Sequence, residues 1–483
     1  MKRVLLALTS ILYFFSHAQN IQEVLLYGQT DLYGSPRYVA MGGAFGALGS
    51  DLSAIHDNPA GLSVFRQDAF EFSLGLRFFN NKSQFYNQNQ REGDSDLPFG
   101  NVGLVRELKS LGQNTKRFHF GISYKRMADF DRNYIVKGQN PRSSILDEWI
   151  SNSNGFSPQQ LFDNGQLYES LAWETYLTDV KDTNNWTYTS YGTGLNTNQL
   201  KQVNSQGSRD ELFLGVSGGL NHQLFFGFGL GIPILSYSEV TNYSESGFDE
   251  NSEVDNFSFR DEYNISAIGL NLKIGVLYRI NQIFRIGASY VSPSWHGVNG
   301  QFAISMNSRV LLNNTWTNFN SPEYFNDQLR YSLSSPQIFG LSAAAIFGKQ
   351  GLLALDYVGR NFSSSRISSK DFDLDYVQND IRSVLGWQHL IKVGGEYRFE
   401  QWTLRGGYQI QNSPVQKAVP YNIGNVQSVS LGFGYQLNYT RLNLAWRSSW
   451  FQETLYPYSA DFTDAALLNT RDHLLLAGIQ FGF

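Results

Sequence analysis

The stretch Ala69-Phe70-Glu71-Phe72-Ser73-Leu74-Gly75-Leu76-Arg77-Phe78-Phe79 decides the fold. Phe70, Phe72, Leu74, Leu76 and Phe78 alternate with Glu71, Ser73, Gly75 and Arg77, a period of two held for the length of a membrane-crossing strand. The same pattern returns at Phe118, Phe120, Ile122 and Tyr124, at Phe284, Ile286, Ala288 and Tyr290, and at Val429, Leu431, Phe433, Tyr435 and Leu437. It closes the chain at His473, Leu475, Ala477, Ile479, Phe481 and Phe483.

Connections carry a second rhythm. Tight turns fall near Asn221-His222-Gln223, Asn281-Gln282, Gly348 to Gly351, Glu400-Gln401 and Asn438, while the links 138–208, 241–255, 360–386 and 451–468 are long and polar. Short on one side and long on the other is the outer-membrane barrel rule. About fourteen strands are expected, near 69–80, 99–109, 115–137, 209–221, 223–240, 256–281, 283–300, 327–348, 351–365, 387–399, 402–411, 426–437, 439–450 and 470–483. The fold class is therefore an all-β transmembrane antiparallel barrel. A soluble β-sandwich would bury its apolar faces and would not need tight and long connections in strict alternation.

Composition agrees. The 483 residues include 45 Gly, 27 Tyr, 36 Phe and 9 Trp, but no Cys, and only 16% are charged, against about 25% in a soluble domain. Without Cys there is no disulfide scaffold, thiolate metal site or Cys nucleophile. The formal charge of −5 draws the chain to no nucleic acid. Lys2 and Arg3, the apolar run Val4 to Phe15 and Ser16-His17-Ala18 read as a signal peptide over residues 1–18, cleaved before Gln19. No later run approaches the roughly eighteen apolar residues of a spanning helix.

Residues 19–68 lack long alternation. They are rich in small residues and close on the turn dipeptide Asn58-Pro59. Many glycines of the strands, among them Gly227, Gly229, Gly231, Gly269, Gly275, Gly287, Gly432, Gly434, Gly478 and Gly482, face away from the apolar stripe, which leaves room inside a wide lumen or eases strand curvature. Gly42, Gly43, Ala44, Gly46, Ala47 and Gly49, followed by Asp51-Leu52-Ser53-Ala54 and Asn58-Pro59-Ala60-Gly61-Leu62, resemble the N-terminal hatch of the outer-membrane long-chain fatty-acid and hydrocarbon transporters, the FadL/TodX-like family. Ser335-Pro336-Gln337 with Leu355-Asp356-Tyr357, and Leu404-Arg405-Gly406-Gly407-Tyr408 with Ser413-Pro414, are similar to later segments of that family. A departure is the long insertion 138–208, with a helical stretch expected from Pro158 to Val180.

The resemblance implies a bacterial outer-membrane, multi-pass transporter of hydrophobic molecules such as long-chain fatty acids. It implies a lumenal pocket, a hatch at 19–68 inside a barrel at 69–483, and a lateral opening in the wall. It also implies contact with outer-membrane lipid, recognition of Phe483 by the barrel-assembly machinery, a monomeric state, and no cofactor or metal. The alternative is a FadL-like barrel serving as a protein-binding, type IX shuttle-like secretion subunit, for which the 138–208 insertion is the feature to watch. Strand parity points Arg77, Lys125, Lys273, Arg285 and Arg405 inward, as candidate partners of a carboxylate head group or as ordinary salt-bridging lumen residues. Keeping parity past Tyr124 would put Arg126 in lipid at about 2–4 kcal/mol. A kink near Arg126, Asp129 and Asp131 would avoid that and could mark a lateral gate, unless Arg126 already lies at the interface. Loop aromatics Trp149, Phe156, Phe162, Tyr168, Trp173, Tyr176, Trp186 and Tyr188 suit either a catching surface or girdle and loop packing. The seven His carry no zinc-like pairing and no Gly-x-Ser-x-Gly accompanies them, so catalysis is not expected.

Overall fold

The computed structural model describes residues 17–108, 118–220, 222–370, 374–416 and 421–483. Most of the expected signal segment lies outside them. Fourteen staves form the wall: β1 (Ala69–Phe85), β2 (Phe99–Leu108), β3 (Phe118–Asp129), β4 (Thr197–Leu220), β5 (Leu224–Ser246), β6 (Val254–Arg279), β7 (Phe284–Val291, continued as Trp295–Leu312), β8 (Tyr324–Ser334, continued as Ile338–Phe347), β9 (Gly351–Asn361), β10 (Trp387–Phe399), β11 (Trp402–Gln411), β12 (Val426–Leu437), β13 (Thr440–Leu455) and β14 (Ala466–Gly482). Each pairs antiparallel with the next, and β14 closes on β1 from Ala69↔Gly482 to Gln84↔Leu467. Side-chain alternation follows the expected parity. On β9, Leu353 and Leu355 are 57% and 51% exposed on the lipid side, whereas Ala354 and Asp356 are buried inside.

Several boundaries differ from the sequence reading. β4 begins at Thr197 and β5 runs to Ser246, so these strands pair well beyond the expected 209 and 240. The extension is polar on both faces, which is why hydropathy does not reveal it. Strands expected to be continuous break at Ser292-Pro293-Ser294 and Ser335-Pro336-Gln337, because Pro lacks the N–H a ladder needs. In β3 the register slips between Arg126 and Ala128, and the chain resumes as Arg132–Asn140.

Residues 17–68 run inside the wall. Helix α1 (His17–Gly28) lies toward the long loops, where Ile21, Val24 and Leu25 pack with Leu235, Val298 and Leu333 and with Val377 and Ile381 of the helix Asp375–Val384. Helix α2 (Pro36–Ala40) starts on Ser35, whose side chain accepts the Tyr38 N–H, with Pro36 at the first helical position. Asn58 caps a short 3₁₀ turn, Pro59–Val64, by accepting the Ala60 N–H. In the 138–208 insertion, capping boxes Ser144/Asp147 and Ser157/Gln160 open α3 (Ile145–Ser153) and α4 (Pro158–Asp163). The helical stretch expected to reach Val180 is instead two helices. Gly165, at φ +76°, separates α4 from α5 (Leu167–Glu174), and Thr178–Asp182 is a strand paired with Thr187–Ser190.

Inward glycines seat the hatch. A Cβ at Gly227 would lie 2.2 Å from the Pro59 carbonyl carbon, and at Gly407 2.1 Å from the Gly42 nitrogen; Gly287, Gly432 and Gly478 meet Gly46, Ala40 and Pro36 in the same way. Gly229 and Gly231 differ, being covered by Phe213 and by Asn271 of the wall itself. Polar latches complete the seat. Asp356 accepts the N–H groups of Phe45 and Gly46 at 2.9 and 2.8 Å, and Arg37 joins Glu396 at 3.0 Å, which Arg405 also holds at 2.8 Å. Asn58 donates to Gly46 O at 2.7 Å and to Val276 O of β6 at 3.2 Å. His56 Nδ1 lies 2.8 Å from Glu211, to which Lys273 is also paired while donating to His56 O at 2.9 Å. Burial pushes His56 down from its usual 6.5 to about 4, against the pull of Glu211.

Two outcomes are expected. Gly227→Val drives a branched side chain into the Pro59-Ala60 backbone and should weaken hatch docking by about 1–3 kcal/mol; protease should then cut within residues 40–60 while the barrel keeps its heat-modifiable gel migration, and unchanged protection would count against this seat. Acid should also release the hatch. Docked, His56 takes a proton only near pH 4; undocked, it takes one below 6.5, so docking is favoured above pH 6.5 and loses that advantage as pH falls toward 4. At pH 5 the loss is about 2 kcal/mol. Conductance in planar bilayers should rise between pH 7 and 5, and His56→Gln should flatten the rise.

Candidate functional site

Between the hatch and the wall lies a cavity of about 80 Å³, bounded by Gly28, Thr30, Asp31, Leu32, Tyr38, His56 and Asp57 of the hatch and by residues of β3, β4 and β6 to β11. Its walls carry five cations, Lys125, Arg209, Lys273, Arg360 and Lys392, against the acids Asp31, Asp57 and Glu211. Glu211 is engaged by Lys273, and Asp57 by Lys392 at 3.2 Å and by the Tyr38 hydroxyl at 2.6 Å. Burial raises the carboxyl of Asp31 above its usual range. It accepts the Asp129 N–H at 3.2 Å.

Three cations remain without a carboxylate among the described residues. Lys125 sits 4.3 Å over the Tyr38 ring and 3.5 Å from Ser53 O. Arg209 donates to Gln29 O at 2.8 Å and Arg360 to Gln388 Oε1 at 3.2 Å, yet the Nε of each is enclosed with no acceptor. A buried guanidinium gains most from a bidentate anion. The polar part of the cavity can therefore accept one carboxylate.

The five inward cations named from parity go to different places. Lys125 and Lys273 line the cavity. Arg77 is paired with Asp129 at 2.8 Å and Asp472 at 3.1 Å, and Arg405 with Glu396. Arg285 lies near the short turns and reaches Leu48 O at 3.4 Å. The hatch residues Gly42, Gly43, Asn58, Pro59, Ala60 and Gly61 are all buried. Parity alone did not single out Arg209 and Arg360. Arg209 stood at the margin of its expected strand, although Arg360 shares the inward parity of Asp356.

Beside the β3 bulge the wall changes character. Asn101↔Lys125 is the last rung between β2 and β3. Beyond it, Asp31 N donates to Met127 O at 2.7 Å, so the hatch pairs with β3 where β2 has left it. β1 pairs instead with the returning strand Gln88–Asp96, while Arg132–Asn140 runs inside, where Asn81 donates to Asn133 O at 2.7 Å. Among the described residues no backbone ladder joins Gln88–Asp96 to Arg132–Asn140. Charges fill the gap. Asp96, Asp129 and Asp131 converge within 4.8 Å, with Arg77 2.8 Å from Asp129 and 3.9 Å from Asp96, and Arg126 bridges Asp129 at 2.8 Å and Asp210 at 3.1 Å. Arg77 and Arg126 thus set two positive charges against these carboxylates.

Of the eight loop aromatics, Trp149 and Tyr188 are buried, Trp149 against Phe257 and Phe259, and Tyr168 packs edge-on to Phe259 while donating to Asp261 at 2.7 Å. Phe162, Trp173 and Tyr176 stand exposed.

Residues 192–454, more than half of the chain, match the family of outer membrane protein transport proteins (OMPP1/FadL/TodX). No curated protein matches the chain. Among solved structures, a Pseudomonas aeruginosa FadL homologue superposes with a TM-score of 0.60 at 13% identity, covering 94% of this chain and 100% of that one. The P. putida toluene transporter TodX follows with a TM-score of 0.54 at 13% identity over 94% and 99%, and the CymD monoaromatic hydrocarbon channel with 0.51 at 11% over 94% and 99%. At such identities these three show a shared fold. Taken with the closed wall of fourteen strands, the family match makes the chain a member of the OMPP1/FadL/TodX outer membrane transport family, a multi-pass β-barrel of the outer membrane.

Proposed function

We propose that the barrel takes up a hydrophobic molecule with an anionic head, a long-chain fatty acid, through the lumenal cavity and past a hatch formed by residues 19–68. The observation that carries this reading is the pair Arg209 and Arg360, whose guanidinium groups face the cavity without a carboxylate partner. TodX and CymD are described by neutral aromatic cargo, for which buried unpaired cations would be a liability. A carboxylate would turn them into charge-assisted bonds. The tail gains about 0.8 kcal/mol for each buried CH₂, which favours exit into lipid. The ladder gap held by Arg126, Asp129 and Asp131 supports that exit: swapping ion pairs there disturbs no continuous row of backbone bonds. Phe162, Trp173 and Tyr176 are suited to first capture. Residues 1–18 act as the removed signal, and no chemical step is assigned to the barrel.

Uptake of labelled oleate and of toluene into proteoliposomes tests this. Each lost charge-assisted bond is worth about 1.5–3 kcal/mol, so Arg209→Gln with Arg360→Gln should cut oleate binding by about tenfold or more and leave toluene unchanged. Equal uptake by wild type and variant would refute the head-group assignment. A barrel that moves neither compound, but captures a protein lost on deletion of 138–208, would belong with secretion subunits instead.

A further inference from the structure

The geometry points to a second carboxylate-binding site at the periplasmic mouth of the lumen, formed by Arg66, Arg279 and Arg285, that receives the head of the transported molecule after it passes the hatch. It rests on the fatty-acid reading above but uses none of the same side chains. Arg279 and Arg285 are direct register partners across the short β6–β7 hairpin, on the inward face. Like charges placed directly opposite on neighbouring strands repel. Arg66 follows the last hatch turn, Pro59–Val64, and is exposed.

No described acid offsets the three. Two other inward arginines of the wall behave differently, Arg77 meeting Asp129 and Asp472 and Arg405 meeting Glu396. The Nε atoms of Arg279 and Arg285 are enclosed and have no acceptor. What holds these two side chains is weak: Arg279 stacks 4.5 Å over Phe225, and Arg285 reaches Leu48 O at 3.4 Å. Beside them Ala60, Phe225 and Leu277 form a small apolar cluster with Val64. Cations next to an apolar floor suit an amphiphile with a carboxylate head. An anion that draws Arg285 away also removes a donor from the hatch carbonyl of Leu48, so occupation of the mouth loosens the hatch from below.

Calorimetric titration of the full-length barrel in lipid nanodiscs with dodecanoate tests the site. Two classes of binding are expected. Arg66→Gln with Arg279→Gln, which leaves the Leu48 contact untouched, should weaken one class by about tenfold or more, and Arg209→Gln with Arg360→Gln should weaken the other. Heat-modifiable migration verifies that each variant is folded. A single class lost only in the cavity variant overturns the mouth site and leaves the proposed function standing. A single class lost only in the mouth variant does the reverse. In a parallel titration, inorganic phosphate that fills the mouth where dodecanoate does not would overturn the assignment to cargo.

Discussion

A backbone N–H or C=O facing lipid has no water to turn to, so every strand edge in the membrane must be paired. The β1–β14 ladder, between residues about four hundred positions apart, meets that requirement for the whole wall. Closure sets the rest. It forces an even strand count with both ends on one side, turns one face of every strand toward lipid, and sends the polar face into a lumen that the chain must then fill. Where β2 leaves β3, arginines and aspartates gather, because polar groups released from a ladder need other partners.

Inside, charge is distributed unevenly. Several lumen cations have an acid within reach and act as rivets between strands or between hatch and wall, as Arg405 and Arg37 do on Glu396. Breaking such a pair leaves a buried charge uncompensated and is costly. Among the described residues Arg209 and Arg360 lack that compensation. Their stabilisation is left to whatever enters, which separates the residues that hold the barrel together from those that await a ligand.

The period of two in segments such as 69–79 and 429–437 made the wall legible, because lipid imposes one apolar face wherever a strand crosses it. Above the membrane that imposition ends. Thr197 to Ser208 pairs as regularly as any stave but carries no apolar stripe, and so reads as loop. The inward parity of Arg77, Lys125, Lys273, Arg285 and Arg405 was also legible, but their roles were not: whether an inward cation meets an acid depends on neighbours such as Asp472 or Glu396, brought close by register and not by sequence distance. The lumenal glycines were visible as an unfilled face; that the hatch backbone fills it at Gly227 and Gly407 depends on a fold of residues 36–64 that no periodicity announces.

The seat of the hatch has a bearing on assembly. Its contacts are scattered over β5, β7, β11, β12 and β14, so no part of the wall short of the complete ring offers the plug a place to bind. The full seat therefore exists only in the closed ring. A stave out of register would carry its glycine away from the hatch backbone and present a mismatched seat, so the plug and the register of the wall specify one another.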